Sequence, residues 1–164
     1  MKLIYLLLSA FTILGCSLNV DKKKVKIMTL DPGHFHAALI QKTSYDDIDS
    51  TIDVYAPEGP EVSAFLENID AYNNRENNPT NWSVNTHLGD NYLEQMVSEK
   101  PGNVMVVSGK NSKKIDYVLE AVSAGLNVYA DKPLVTNPDG LKKLEKVFKI
   151  AKENNVLVLS LIHI

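Results

Sequence analysis

Five short apolar runs, separated by amphipathic segments, constrain the fold of this chain more than any other feature. The runs occupy residues 25–30, 51–56, 104–108, 126–130 and 156–160. The third run, VMVVS, lacks the polar alternation of a half-exposed strand and is typical of a strand covered on both faces. We therefore predict five strands in a sheet that lies between two layers of helices.

The segments between these runs carry apolar residues at helical spacing. Gly125 follows one such segment as a C-terminal cap, and Asn137-Pro138 predicts the N-cap and first position of another. Helices are predicted at 36–42, 61–72 and 91–98, from Ile115 to Val122 and after Asn137, with a loop at 73–82. This order predicts an α/β fold, a doubly wound, mostly parallel Rossmann-like sheet with helices on both faces.

The N-terminus differs from the rest of the chain. Lys2 precedes an apolar run that ends at Leu14-Gly15-Cys16, as in the signal peptide of a bacterial lipoprotein. The run is too short to cross a bilayer, which takes about 20 residues. We predict a signal peptide at 1–15, lipidation at Cys16, a tether at 16–24, a Rossmann domain at 25–160 and a truncated end at 161–164. The expected location is outside the cytoplasm, on a membrane through the lipid; the alternative is an ordinary signal peptide with an incidental Cys.

Charge and cysteine content argue against a nucleic-acid-binding protein and against a disulfide-stapled domain. The formal net charge is −3 and no basic block occurs, which argues against a nucleic-acid partner. Cys16 is the single cysteine, so the chain forms no internal disulfide.

Ligands of such sheets bind beyond the carboxyl ends of the strands. After the first run comes LDPGHFHAAL, in which Gly33 is the one glycine of the three that a dinucleotide loop prefers. A plain strand-to-helix turn is the alternative. His34 and His36 are expected to line a polar cleft; no metal is predicted, because no third ligand is evident in the sequence.

Two further strand ends carry candidate residues. After the third run, Gly109 permits close backbone approach, Asn111 is expected to cap the next helix, and Lys113 and Lys114 are interpreted as a solvated first turn. After the fourth run comes Asp131-Lys132-Pro133. Lys132 is expected to be partly desolvated, so that it can hold a substrate hydroxyl or relay its proton, and Pro133 is a candidate for a cis bond. The alternative is an ion pair between Asp131 and Lys132.

The sequence resembles the Gfo/Idh/MocA family, the glucose–fructose oxidoreductase and inositol dehydrogenase group. The resemblance lies in the run from Val104 to Ser112, the following VLEAVSAG and LNVYA segments, and Asp131-Lys132-Pro133, which is similar to the family's Glu-Lys-Pro. It implies a two-domain enzyme that uses NAD or NADP on a sugar or polyol. We expect the second α/β domain, which in the family carries substrate contacts and the subunit interface of a homo-oligomer, to lie outside this sequence, so that the fragment alone is inactive.

The resemblance assigns roles to individual residues. Lys132 matches the family's substrate-contacting, catalytic Lys, Gly33 a glycine at the pyrophosphate, and Asn111 the Asn beside the nicotinamide ribose. The predicted cofactor contacts are Gly33, His34, Phe35, His36, Ser108, Asn111, Asp131 and Pro133. No acidic residue stands directly at the tip of the second strand to bind the adenosine ribose. Glu58 and Glu61, which follow the strand, are the candidates for this contact, so NAD and NADP remain alternatives.

Three functions are compatible with this sequence. The first is the nucleotide-binding half of an NAD(P)-dependent oxidoreductase. The second is a lipid-anchored, non-catalytic sugar-binding protein on the same fold, which the single loop glycine favours. The third is a glycosidase that oxidises its substrate transiently with NAD.

Overall fold

The computed structural model describes residues 24–161, so the predicted signal peptide, the lipidation predicted at Cys16 and residues 162–164 lie outside this range. The described chain forms one sheet of six parallel strands: β1 (Val25–Leu30), β2 (Ile48–Ala56), β3 (Ser83–Leu88), β4 (Val104–Val107), β5 (Asn127–Asp131) and β6 (Val158–Leu161). The strand order is β3-β2-β1-β4-β5-β6, so the connection reverses direction between β1 and β4. The predicted doubly wound α/β fold is confirmed.

Four α-helices cover the two faces of the sheet. They are α1 (Pro60–Asn74), α2 (Tyr92–Glu99), α3 (Lys114–Ser123) and α4 (Pro138–Glu153). Helices α2, α3 and α4 pack on one face, over Met28, Met105 and Val128 of the strands. Helix α1 packs on the other face through Val62, Phe65 and Ile69. Alternate strand residues therefore enter different cores, as the pleat requires.

Both helix-end predictions are confirmed. Gly125 follows α3 with a φ of +78°, the left-handed conformation of a C-terminal cap. Asn137 caps α4, accepting a hydrogen bond from the backbone N–H of Gly140 at 2.9 Å, and Pro138 opens the helix.

The predicted helix at 36–42 is wrong. Two short 3₁₀ helices, Phe35–Ala38 and Ile40–Lys42, stand in its place. The indole N–H of Trp82 donates to the carbonyl of Gln41 at 2.6 Å, and the chain turns to extended backbone at Thr43. A tertiary contact therefore takes a carbonyl that a continuing α-helix would use for itself.

Strand β3 was not predicted. Its sequence, SVNTHL, is mostly exposed and lacks a buried face, because it lies at the edge of the sheet. It pairs with β2 from Thr51–Ser83 to Ala56–Leu88, and backbone bonding rather than burial defines it. Among residues 24–161, no helix has the length and apolar content to cross a membrane.

Candidate functional site

The carboxyl ends of β1, β4 and β5 meet at one edge of the sheet. Leu30 lies opposite Val107, which lies opposite Ala130, so Asp31, Ser108 and Asp131 follow side by side. This is the reversal point of the strand order, where ligands bind in doubly wound sheets.

The loop after β1 and the loop after β4 are in direct backbone contact at this point. The N–H of Gly33 donates to the carbonyl of Ser108 at 2.9 Å. A Cβ built on Gly109 would lie 2.6 Å from the carbonyl carbon of Gly33, and Gly109 has a φ of +77°. Both the space and the conformation therefore require glycine at 109, and the predicted close approach is confirmed.

Asp131 is the buried anion of the site. Its carboxylate accepts hydrogen bonds from the Ser108 hydroxyl at 2.8 Å and from the Gly109 N–H at 3.3 Å, and it forms an ion pair with Lys114. Burial raises the pKa of this carboxyl, but hydrogen bonds from Lys114 and Ser108 outweigh it, so the pKa is lowered. Asp131 is therefore ionised at neutral pH.

The interpretation of Lys114 as a solvated residue is wrong. Its side chain is 0% exposed, and its ammonium also donates to the Asp131 carbonyl at 3.1 Å and to Asn111 Oδ1 at 3.0 Å. Lys113 is exposed, as expected. Because an unpaired buried ammonium is costly, Lys114 needs these three oxygens. Asn111 holds this lysine and does not cap α3, whose N-cap is Lys113 with no side-chain hydrogen bond.

Asp131 does not pair with Lys132, and the expected desolvation of Lys132 is not found. Lys132 is exposed, because β5 ends at Asp131 and the chain turns outward. The Lys132–Pro133 peptide bond is cis, so that expectation is confirmed.

A cleft of about 180 Å³ opens above Asp131. Its lining brings together most of the predicted site residues: His34, His36, Gly109, Asn111, Asp131, Lys132 and Pro133. His36 Nδ1 lies 3.6 Å from Asp131 Oδ2, and the imidazole of His34 accepts a hydrogen bond from the His36 N–H at 3.4 Å. The two histidines therefore line a polar cleft, as predicted.

A second cleft of about 250 Å³ lies on the other side of Gly33, between the first 3₁₀ helix and α1. Its walls are mainly apolar and include Phe35, Ala38 and Phe65, with Glu61 at the first turn of α1. His34 belongs to both linings, so the two clefts adjoin at the edge of the sheet, and together they are called the groove below.

Lys110 lies between the two clefts and was not predicted as a site residue. Its methylene stem covers Gly33, where an added Cβ would lie 3.0–3.1 Å from three of its carbons. Its ammonium forms ion pairs with Glu61 and, at 3.4 Å, with Asp31, and the hydrogen bond to Glu61 raises its pKa. The only indication of this role in the sequence is the position of Lys110 directly after Gly109. Only the fold shows that its ammonium reaches Glu61 of α1.

Asp31 stands where a dinucleotide loop usually has its first glycine. It has a φ of +41° and is 2% exposed, so it adopts a conformation that favours glycine while buried. Its carboxylate accepts from the Tyr117 hydroxyl at 2.7 Å, and the Tyr117 and Tyr92 hydroxyls lie 2.5 Å apart. Burial and these hydrogen bonds raise the pKa of Tyr117, so it stays a neutral donor to Asp31.

The groove offers charged and polar groups to a dinucleotide, with two departures from the usual loop. The Gly33 N–H is bonded to Ser108, and a four-residue 3₁₀ helix replaces the α-helix whose N-terminus usually faces the diphosphate. The Lys110 ammonium supplies positive charge at that position. Glu61 offers a carboxylate to a ribose at one end, and Asn111 and Lys132 offer polar groups at the other.

Comparison with known proteins agrees with this geometry. A family model described as an oxidoreductase family with an NAD-binding Rossmann fold, GFO_IDH_MocA, matches residues 31–162. No curated protein matches the sequence.

Solved structures with the same fold include oxidoreductases. A protein of Parabacteroides merdae, provisionally described as an oxidoreductase, is 45% identical with a TM-score of 0.82, over 84% of this chain and 31% of its own. Myo-inositol 2-dehydrogenase of Lactobacillus plantarum is 16% identical with a TM-score of 0.59, over 84% and 36%. Biliverdin reductase of Synechocystis, solved with biliverdin and NADP⁺, is 11% identical with a TM-score of 0.59, over 83% and 37%. The last two show the fold alone, and the chain spans about a third of the length of all three.

Proposed function

The chain belongs to the GFO_IDH_MocA oxidoreductase family, whose Rossmann domain binds NAD, and from this premise we propose that it is the cofactor-binding part of an NAD(P)-dependent dehydrogenase of sugars or polyols. The observation that carries the proposal is the groove along the carboxyl edge of the sheet, with Lys110 at its middle and Lys132 at one end. The sugar or polyol is inferred from the Gfo/Idh/MocA resemblance of the DKP segment.

Within this proposal, each group of residues in the groove binds one part of the dinucleotide. The apolar cleft beside Phe35 and Phe65 receives the adenine, and Glu61 lies where it can bind a ribose hydroxyl. Lys110 binds the diphosphate, for which its ammonium must leave Glu61. Glu61 is half exposed, so it can turn away without opening the core.

The polar cleft receives the nicotinamide end and the substrate. When bound, the nicotinamide supplies a hydride acceptor at its C4. The Lys132 ammonium donates a hydrogen bond to the substrate hydroxyl and stabilises the negative charge that develops as the proton leaves. Because Lys132 is exposed, that proton can pass to solvent.

Calorimetric titration of the chain with NAD and with NADP tests the cofactor part. We expect binding of at least one of them, and a roughly tenfold or greater loss of affinity in Lys110→Met, which removes an ammonium–phosphate contact. Lys113→Met, an exposed lysine three residues away, is the matched control and should leave affinity unchanged. No heat with either nucleotide would favour the non-catalytic sugar-binding alternative. That alternative is supported by the Gly33 N–H, which is already bonded to the Ser108 carbonyl.

The role of Lys132 requires a turnover measurement. We expect the full-length protein, with its substrate domain, to reduce NAD or NADP with some member of a sugar and polyol panel, and Lys132→Ala to abolish this while cofactor affinity is retained. Equal turnover in the variant would remove Lys132 from the mechanism.

We also propose that the protein is exported and anchored through lipid on Cys16. The support is the sequence pattern of residues 1–16. Metabolic labelling with a fatty-acid analogue should mark the wild-type protein in the membrane fraction and not Cys16→Ser. Export without labelling would favour the ordinary signal peptide.

A further inference from the structure

We propose that His34, His36 and Asp131 form a binding site for a divalent transition-metal cation, for which Zn²⁺ is the best-suited ion. This inference goes beyond the proposed dehydrogenase function. It concerns the floor of the polar cleft, where two imidazoles and one carboxylate converge from β1 and β5.

The three side chains lie at nearly metal-binding distance. One ligand atom from each lies within 4.8 Å of the other two, and His36 Nδ1 is 3.6 Å from Asp131 Oδ2. Tetrahedral Zn²⁺ with bonds near 2.0–2.1 Å separates its ligand atoms by roughly 3.4 Å. His36 and Asp131 already match this spacing. His34 is exposed, so its imidazole can rotate inward without disturbing the core once it gives up the hydrogen bond from the His36 N–H.

The surroundings of Asp131 resemble the outer shell of a metal site. Lys114 binds Oδ1, whereas Oδ2 accepts from the Ser108 hydroxyl and faces His36. These contacts keep the carboxylate ionised and fix its orientation, which is what outer-shell partners do for a ligating group. The oxygen toward the histidines is thus the one that the cation would use.

The charge balance of the site indicates the chemical class of the fourth metal ligand. Lys114 already neutralises Asp131, so a divalent cation on two neutral imidazoles leaves excess positive charge in the cleft. Three protein ligands leave a fourth position open, as in catalytic zinc sites. That position opens into the cleft lined by Asn111 and Lys132, and an anionic or ionisable oxygen suits it: hydroxide, a carboxylate or a polarised alcohol.

Metal binding to the purified, chelator-stripped chain tests this site. Titration with Zn²⁺ should give one equivalent per chain, and Co²⁺ should give the intense visible bands of a tetrahedral nitrogen–oxygen site. Both should be lost in His34→Ala and in the double variant His34→Ala/His36→Ala, whose folding is checked by circular dichroism. Ser108→Ala should weaken Zn²⁺ binding by roughly 10- to 100-fold, as loss of an outer-shell partner does.

His87 offers a matched control for the proposed metal site. His87 also lies near carboxylates, 3.1 Å from Asp53 and 3.7 Å from Glu99, yet these groups do not form a three-ligand cluster among the described residues. His87→Ala should therefore keep the stoichiometric site. Equal Zn²⁺ uptake by wild type and the double variant, or loss of binding in a control instead, would overturn the proposal. Neither result depends on whether NAD binds.

Discussion

Single residues at the strand ends are constrained by backbone contact as much as by chemistry. Gly109 and Gly125 have nearly the same left-handed φ, +77° and +78°. They differ in space, because a Cβ at 109 would lie 2.6 Å from the Gly33 backbone, whereas nothing lies within 4 Å at 125. Comparing alanine substitutions at the two positions therefore distinguishes the cost of backbone strain from the cost of a steric clash.

We expect Gly125→Ala to lower the free energy of unfolding by about 1–2 kcal/mol, the cost of a left-handed L-residue. Gly109→Ala should cost more than that, because the Gly33 loop must also move. Urea denaturation of both variants measures the difference. Equal losses of unfolding free energy in the two variants would mean that the Gly33 loop moves away from residue 109 at no cost.

Lys114 illustrates a second residue-scale property, burial of charge. Lys114→Met leaves Asp131 buried without its cation, and we expect a loss of about 3–5 kcal/mol in the free energy of unfolding. Lys143→Met breaks the exposed Lys143–Asp116 pair and should change stability by no more than about 1 kcal/mol. Thermal and urea unfolding of both variants checks this, and similar losses in the two would contradict the burial of Lys114.

At the scale of elements, helix ends follow local rules, whereas the 3₁₀ segment and β3 follow tertiary contacts. Asn137 and Gly125 cap their helices as the sequence predicts. The second 3₁₀ helix after β1 contains Gln41, whose carbonyl binds the Trp82 indole, and β3 depends on its pairing with β2.

The cap of α4 gives an element-scale prediction. Asn137→Ala removes the acceptor for the Gly140 N–H and should cost roughly 1 kcal/mol, whereas Asn137→Asp keeps an acceptor and should be close to neutral. Chemical denaturation resolves the two. An equal effect of both substitutions would show that the side-chain bond contributes nothing.

At the scale of the whole molecule, stability should be graded across the sheet. Strands β1 and β4 are central and covered by both cores, whereas β3 is an exposed edge strand and β6 the opposite edge. Hydrogen exchange followed by mass spectrometry should show the slowest amides in β1 and β4 and faster exchange in β3. Protection of β3 equal to that of β1 would contradict this order.

The sequence determined the fold class, because apolar periodicity and helix caps are local properties. All five predicted strands and all four α-helices are placed by the sequence, and the family resemblance of the 104–134 region is confirmed by the family match. Strand β3 was not predicted because an edge strand buries little. Residues 36–42 were wrongly predicted as one helix, because nothing in the local sequence shows that the Gln41 carbonyl binds the distant Trp82 indole where the second 3₁₀ helix ends.

The site was only partly accessible to the sequence. His34, His36, Asn111, Asp131 and Lys132 were singled out, and the structure brings them around one cleft. Their partners were not foreseeable, since Lys114 turns inward to Asp131 and Lys110 spans from Asp31 to Glu61. Residue types and local spacing fix which groups are present. Only tertiary structure decides which charges are buried together, because that depends on contacts between segments far apart in the chain.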